Sequence, residues 1–203
     1  MRLQRTIGAG KSSKRQLLVA QRELILGGQK SGKTARAECA AAQWLQQSPQ
    51  HRAVYIATAL PWGEEMQARI VRHQQERAQR VPGMATVQAA SLQEPVDVLA
   101  ALQAHSHPQT LIVLDCLTLW LTQQLMPPEG SKQLPQTSEQ LVQAIAVSQA
   151  QLRIVGNEIG LGVIPLGGET RAFVDALGVL NQQVAAVCDG VTLMVAGLPL
   201  TVK

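Results

Sequence analysis

The residues best suited to chemistry are a lysine and a hydroxyl that follow a pair of glycines. Gly27 is followed, after four residues, by Gly32, Lys33 and Thr34, the spacing of a loop that wraps phosphate groups. Backbone N–H groups can converge on phosphate oxygens there, Lys33 can reach the β- and γ-phosphates, and the Thr34 hydroxyl can ligate Mg²⁺. The pattern predicts a nucleotide site formed by eight consecutive residues: Gly27, Gly28, Gln29, Lys30, Ser31, Gly32, Lys33 and Thr34.

A second segment, GAGKSS at residues 8 to 13, resembles this loop only in part. The position that should hold its first glycine is Arg5, and no apolar run precedes it. A phosphate loop needs a strand before it and a helix after it. We therefore interpret this segment as part of a basic tail and not as a second site.

An acidic residue at the end of a neighbouring strand would complete a magnesium site. The run LIVLD ends at Asp115, where a carboxylate could hold Mg²⁺, partly through water. The alternative is that Asp115 only caps the next helix. Glu158, after the short apolar run RIVGN, is a second candidate for metal or substrate contact.

A histidine lies between two arginines on one predicted helix. Glu65, Arg69, His73 and Arg77 follow one another at steps of four, so they share one helix face. A neutral imidazole on such a face could act as a nucleophile toward a phosphate chain. From spacing alone, a solvated, ion-paired face is the simpler interpretation. The other histidines, at positions 51, 105 and 107, suggest no metal site.

The elements that must position these residues alternate along the chain. Predicted strands are short apolar runs at 22–28, 53–59 and 110–115, a short one within 153–165, and one or two within 190–203. Predicted helices have helical composition or periodicity and cover 33–47, 64–80, 92–105, a segment after 115, 139–152 and 170–189. A loop rich in Pro, Gly and Ser is expected at 127–138. This alternation predicts an α/β fold with a mainly parallel sheet flanked by helices.

Composition limits the classes of protein that this chain can belong to. Of the 18 basic residues six lie within residues 1–22, which hold no acidic residue, so the remainder carries 12 basic and 14 acidic residues. We expect a disordered basic tail over 1–22, one catalytic domain over 23–203 and no nucleic-acid partner.

No apolar run could cross a bilayer. The tail overlaps in composition with transit peptides, but we favour a cytoplasmic location. The three cysteines are expected to be buried, reduced thiols.

Several ordered segments together resemble one enzyme family. They are LILGGQKSGKTARAE, VYIATA, EEMQARIVRH, IVLDCLTLWL, NEIGLGVIP and RAFVDALGVLNQQVA. In content and order they resemble the bifunctional adenosylcobinamide kinase/adenosylcobinamide-phosphate guanylyltransferases of cobalamin biosynthesis, over residues 23 to 203. The resemblance implies a P-loop NTPase fold, often assembled as a trimer. It also implies phosphorylation of adenosylcobinamide by a nucleoside triphosphate, GTP or ATP, followed by transfer of GMP from GTP.

The resemblance also assigns roles to residues. It implies that His73 becomes guanylylated and that Asp115 is the acidic strand-end residue that the family uses there. Our own hypothesis adds that Lys33 is catalytic, with Arg69 or Arg77 as helpers, and that Thr34 and Asp115 bind Mg²⁺, partly through water. Further nucleotide contacts would come from the segment after the second strand, from the helix beyond the histidine and from the acidic strand end: Thr58, Ala59, Leu60, Gln74, Gln75, Glu76, Arg77 and Asp115.

The chain departs from the family pattern at several positions. Val174 and Val179 stand where the family usually has arginines, Gln88 where it has glutamate, and Gln123 where it has asparagine. The segment before Asn157 is short, as if a helix end, a loop and a strand were compressed. Two alternatives therefore stay open: a catalytically impaired homologue, and an oligomeric P-loop ATPase that acts as a switch or on nucleic acid.

Overall fold

A computed structural model describes residues 21–203 and shows one seven-stranded sheet covered by six helices in this part of the chain. The strands are β1 (Arg22–Gly27), β2 (Arg52–Ala57), β3 (Ala85–Val87), β4 (Thr110–Asp115), β5 (Gln151–Val155), β6 (Gly190–Val195) and β7 (Leu198–Thr201). The helices are α1 (Lys33–Gln47), α2 (Gly63–Arg80), α3 (Val98–Ala104), α4 (Leu117–Leu125), α5 (Ser138–Val147) and α6 (Gly168–Val187). Residues 1–20 of the predicted tail, which include the GAGKSS segment, lie outside the described residues.

The sheet has the order β3-β2-β4-β5-β1-β6-β7, and every neighbouring pair is parallel except β6 and β7. The predicted α/β class with a mainly parallel sheet is confirmed. Because parallel strands end at the same edge, the segments after β1, β2, β4 and β5 meet there. This edge brings the predicted site residues together.

Alternate residues of the central strands supply two cores. Leu24, Ile112 and Ile154 belong to the core that packs against α3 to α6. Ile25 and Val113 belong to the core on the opposite face, which Ala37 and Ala41 of α1 cover. Strands buried on both faces read as continuous apolar runs, and this explains why the sequence revealed them.

Two predicted helices differ from the observed ones, and one observed strand was not predicted. The helix expected at 92–105 begins only at Val98, because Asp97 caps it through a bond from the Ala100 N–H to its carboxylate. The helix expected at 139–152 ends at Val147, and the next strand begins at Gln151. The three-residue strand β3, with two of its residues exposed, was not predicted.

Strand β5 is complete despite the short segment before it. Residues 152–155 pair with β1, and residues 151–155 pair with β4. The strand is therefore formed in full, after a connection of three residues at 148–150. This central strand still holds together the two strands that carry the phosphate loop and Asp115.

Two further expectations concern membrane-spanning segments and the burial of the cysteines. Among the described residues, no helix combines the length and the apolar character that a bilayer crossing requires. Cys116 and Cys188 are buried as expected, but the expectation is wrong for Cys39, which is exposed. The buried positions of α1 are 33, 37, 38 and 41, and Cys39 lies on the other face of that helix.

Candidate active site

The segment between β1 and α1 has the backbone of a phosphate-binding loop. Gly27 has a φ of 151° and Gly32 a φ of 98°, values that side chains disfavour. A Cβ on Gly27 would lie 2.6 Å from the Met194 carbonyl oxygen and 2.6 Å from the Ser31 hydroxyl oxygen. The helix α1 begins at Lys33, so its free N–H groups and the positive end of its dipole face this loop.

The Lys33 side chain is folded back onto the loop. Its Nζ donates to the Gly28 carbonyl oxygen over 2.5 Å and lies 3.4 Å from the Ser31 Oγ. Loss of solvent around the buried ammonium lowers the pKa of Lys33, while the charge of Asp115 acts in the opposite direction. A bound anion would offset that desolvation.

Asp115 connects the phosphate loop to the neighbouring strands. The Thr34 Oγ1 and the Tyr55 hydroxyl each donate to the Asp115 Oδ2 over 2.7 Å. Burial, and then the Asp115 charge and hydrogen bond, raise the pKa of Tyr55 well above its ordinary value. The phenol therefore remains a donor at neutral pH, and the carboxylate is held by hydroxyls from α1 and β2.

The ends of β2 and β4 are tied together beside this carboxylate. The Thr58 N–H donates to the Asp115 carbonyl oxygen over 2.9 Å, and the Thr58 Oγ1 exchanges hydrogen bonds of 2.8 and 2.7 Å with the Cys116 backbone. The peptide bond between Asp115 and Cys116 is cis. The Gln123 amide donates to the Thr58 carbonyl oxygen.

His73 lines the same cavity as Thr34 and Asp115. This cavity has a volume of about 120 Å³ and lies between α2 and the strand ends. Its lining includes groups from α1, β2, α2 and β4, together with Gln88 and residues after β4: Thr34, Tyr55, Ala57, Ala59, Met66, Arg69, Ile70, His73, Gln74, Arg77, Gln88, Asp115, Cys116 and Leu119. The histidine helix therefore shares this opening with Thr34, the last residue of the phosphate-loop pattern, whereas residues 27–33 are not among its lining.

Arg77 anchors the histidine helix to this site. Only 5% of Arg77 is exposed, and its guanidinium carbon lies 3.9 Å from the centre of the Tyr55 ring. Such cation–π contacts stabilise a desolvated arginine by roughly 1–2 kcal/mol. Arg77, Tyr55, Asp115 and Thr34 thus form a continuous chain of contacts from α2 to α1.

The predicted nucleotide contacts divide into two groups. Gln74, Arg77, Ala59 and Asp115 line the cavity together with His73 and Thr34. Thr58 and Leu60 are buried. The other predicted contacts are absent from the cavity lining: the loop residues 27–33, and Thr58, Leu60, Gln75 and Glu76. Their predicted role in nucleotide contact stays a prediction.

Glu158 lies beside the phosphate loop, where its backbone N–H donates to the Gly27 carbonyl oxygen over 3.2 Å. The next residues form a loop of exposed apolar side chains, with Val163 96% and Leu166 98% exposed. Between this loop and α6 lies an open cavity of about 580 Å³, whose lining includes Arg171 and Val179. The metal or substrate contact predicted for Glu158 stays a prediction.

Sequence reasoning missed Tyr55 and Leu119 as members of the site. Tyr55 is the single tyrosine of the chain, and it lies within a run that otherwise consists of apolar strand residues. A polar aromatic group in a buried strand usually needs a hydrogen-bond partner. That signal could have indicated a carboxylate nearby.

Comparisons with known proteins give a consistent result. Residues 23–202 match a family described as cobinamide kinase / cobinamide phosphate guanyltransferase. The bifunctional adenosylcobalamin biosynthesis protein CobP of Pseudomonas aeruginosa is 39% identical over 183 residues, which cover 90% of this chain and 97% of that protein. The corresponding CobU proteins of Escherichia coli and Salmonella typhimurium are 32% and 31% identical, each over 89% of this chain and 98% of the relative.

Proposed function

The chain belongs to the family of cobinamide kinases / cobinamide phosphate guanyltransferases, and we propose which of its residues act in each of the two reactions. It is an enzyme of adenosylcobalamin biosynthesis that phosphorylates adenosylcobinamide and then transfers GMP to the phosphorylated product. We propose that residues 23–203 form one catalytic domain that performs both steps.

In the kinase step, the loop from Gly27 to Thr34 would hold the triphosphate through its backbone N–H groups. Lys33 would leave the Gly28 carbonyl oxygen, 2.5 Å away in the structure, and bind the β- and γ-phosphates. The oxygen of the corrinoid hydroxyl would then attack the γ-phosphorus as the β–γ P–O bond breaks. The nucleoside diphosphate would leave with the electrons of that bond, and the hydroxyl proton would pass to solvent. Positive groups around the transferring phosphoryl group lower the barrier by offsetting developing charge.

The Thr34 hydroxyl and the Asp115 carboxylate would hold Mg²⁺, the latter partly through water. Their oxygen atoms lie 2.7 Å apart, and a hydroxyl with a carboxylate is a donor set that suits this cation. Bound Mg²⁺ would neutralise phosphate charge and orient the triphosphate. The nucleotide itself would complete the coordination, as in other phosphoryl-transfer sites.

In the guanylyltransferase step, His73 would act as the nucleophile. Its imidazole would attack the α-phosphorus of GTP, a P–N bond would form, and the α–β P–O bond would break with release of pyrophosphate. A phosphate oxygen of the phosphorylated corrinoid would then displace the histidine, which regains its lone pair. Lys33, with Arg69 or Arg77, would stabilise the charge on the transferring group.

One observation carries this proposal: His73 lines the same cavity as Thr34 and Asp115. A nucleotide held on the phosphate loop would therefore lie at the opening that contains the imidazole. The contacts from Arg77 through Tyr55 to Asp115 support this arrangement, because they hold α2 against the site.

Incubation with GTP labelled at the α-phosphate tests the proposal. We expect a covalent label that survives alkali, is lost in acid and is absent from His73→Ala. The control is His51→Ala, since the half-buried ring of His51 stacks on Trp44 at 3.7 Å and is absent from the cavity lining, so this variant should leave labelling unchanged. An unlabelled wild-type protein, as an ATPase acting as a switch would give, would contradict the proposal. A labelled protein that fails to phosphorylate adenosylcobinamide would instead indicate an impaired homologue.

We further propose that copies of this chain assemble, as a trimer by the family resemblance, and that the enzyme is cytoplasmic. The loop at 159–166 supports assembly because four of its large apolar side chains are 76–98% exposed: Leu161, Val163, Ile164 and Leu166. Contiguous exposed apolar surface of this kind commonly marks an interface.

A further inference from the structure

The two ring nitrogens of His73 are not equivalent in this structure. Its Nδ1 lies 3.9 Å from the Glu76 Oε2, one turn later on α2, and both side chains are about 40% exposed. A neutral imidazole carries its proton on one nitrogen, and the lone pair on the other is the nucleophile. An acceptor beside the Nδ1 favours a proton on that nitrogen and leaves the lone pair on the Nε2.

The Glu76 carboxylate is itself held in place. The Arg80 guanidinium lies 3.1 Å from the Glu76 Oε2 and, through its other terminal nitrogen, 2.8 Å from the Glu38 Oε2. Glu38 belongs to α1 and is 2% exposed. Because α1 begins at the phosphate loop, these contacts link the histidine helix to the helix that would carry the triphosphate.

The cavity lining separates His73 from its two charged neighbours. His73 lines it, whereas Glu76 and Arg80 are not among its lining residues in the described chain. The neighbouring carboxylate thus belongs to a residue outside the lining and lies nearest the Nδ1. The Nε2 is the ring nitrogen that this contact does not engage.

We propose that Glu76 is a positioning residue for guanylyl transfer: its carboxylate accepts the Nδ1–H of His73 and directs the Nε2 lone pair at the α-phosphorus. This inference rests on the proposed function of His73. The gap of 3.9 Å closes to a hydrogen bond when either side chain moves by about 1 Å.

The proton balance of the step is simple with this arrangement. The Nε2 lone pair forms the P–N bond, and pyrophosphate leaves with the electrons of the α–β P–O bond. The ring becomes a cation whose Nδ1 proton stays hydrogen-bonded to the Glu76 carboxylate, which stabilises that charge. When the phosphorylated substrate displaces the ring, the electrons of the P–N bond return to the Nε2, and no proton has to leave the Nδ1.

Nuclear magnetic resonance of the full chain with ¹⁵N-labelled histidine tests the tautomer directly, with the His73→Asn spectrum used for assignment. We expect neutral His73 to carry its proton on the Nδ1, and the guanylylated protein to carry phosphorus on the Nε2. In Glu76→Ala the tautomer should shift toward Nε2–H, and the rate of label formation should fall by about 10- to 100-fold, as when other groups that orient a histidine are removed.

Matched variants separate orientation from folding. Glu76→Gln keeps an acceptor oxygen and should retain the Nδ1–H tautomer and most of the rate. Glu64→Ala removes an exposed acidic group from the first turn of the same helix and should change neither readout.

A P–N bond at the Nδ1, or a Glu76→Ala protein with wild-type tautomer and labelling rate, would overturn the role of Glu76 and leave the proposed function intact. A wild-type protein that takes no label at all would overturn the proposed function itself.

Discussion

The Thr34 hydroxyl at the start of α1 donates to the Asp115 carboxylate at the end of β4 over 2.7 Å, although 81 residues separate them in the chain. The same carboxylate oxygen accepts the Tyr55 hydroxyl, also over 2.7 Å. The two groups proposed to hold Mg²⁺ therefore lie within one hydrogen bond of each other, and a third group fixes the carboxylate from β2.

Asp115→Asn should lower the kinase rate strongly while leaving the fold in place. The amide retains the size of the side chain and an acceptor oxygen, but it loses the charge proposed to act through Mg²⁺. We expect kcat to fall by roughly 10²- to 10³-fold, the size of loss typical for a group that stabilises transition-state charge. Steady-state phosphorylation of adenosylcobinamide measures this.

Tyr55→Phe is the matched control for that variant. It removes a hydrogen bond to the same carboxylate oxygen and keeps the ring beneath the Arg77 guanidinium. The free energy of unfolding should drop by about 1–2 kcal/mol, with kcat within a few-fold of wild type. If Asp115→Asn retained activity as well as Tyr55→Phe does, the metal role of Asp115 would be wrong.

Substitution by alanine should lower the stability of the protein at Gly27 but not at the adjacent Gly28. A methyl group on Gly27 would lie 2.6 Å from the Met194 carbonyl oxygen, at a φ of 151°. The conformational strain alone should destabilise Gly27→Ala by about 1–3 kcal/mol, and the clash should add to this. A Cβ on Gly28 meets no atom within 4 Å, so Gly28→Ala should keep the wild-type melting temperature.

Thermal unfolding of both variants measures this difference. Equal melting temperatures for Gly27→Ala and Gly28→Ala would contradict the observed loop geometry. Nucleotide binding is then measured on Gly28→Ala, because its fold should be intact.

The sequence indicated the parts of the site that local chemistry determines. Gly27, Lys33 and Thr34 have the spacing of a phosphate loop, and they lie between a predicted strand and a predicted helix. That helix, α1, has the predicted bounds of 33–47. Asp115 was found because a buried strand that ends in a carboxylate is a recognisable pattern. The parallel sheet then brings these segments to one edge, as expected.

The remaining features depend on contacts that are distant in sequence. The pairing of Tyr55 with Asp115 is a contact across two strands, and spacing along one strand carries no information about it. The strand β3 has two exposed residues and lies at the sheet edge, so it lacks an apolar run. The spacing of α2 favoured a solvated, ion-paired face for His73. Its side chain is indeed 42% exposed beside Glu76, and His73 also lines the cavity, which spacing alone could not indicate.

The three thiols should differ in reactivity. Cys39 is exposed, whereas burial raises the pKa of Cys116 and of Cys188 to about 12. Because the thiolate is the reactive form, a disulfide reagent at pH 8 should modify one thiol in the native protein and three after denaturation. In Cys39→Ser the native protein should react with none, and rapid native reaction of a second thiol would contradict the observed burial.

The two buried thiols should make the protein less stable in alkali. In the unfolded chain they ionise around pH 9, whereas in the folded protein they stay protonated until about pH 12. The unfolded state then binds fewer protons than the folded state, so the free energy of unfolding falls as the pH rises through this window. Melting temperatures from pH 8 to 11 should decrease less steeply for Cys188→Ala than for wild type, and identical slopes would contradict the assignment.

The loop at 159–166 should control the oligomeric state. Val163 is 96% and Leu166 98% exposed within the described chain, so a charge at either position costs the isolated subunit little, whereas it would be desolvated at an interface. We expect Val163→Asp and Leu166→Asp to shift the protein toward the monomer in sedimentation experiments, with unchanged melting of the subunit. Val202→Asp, at an apolar residue that is 64% exposed near the carboxyl end, serves as the control and should assemble like wild type. An unchanged mass for both loop variants would exclude this loop as the contact between copies.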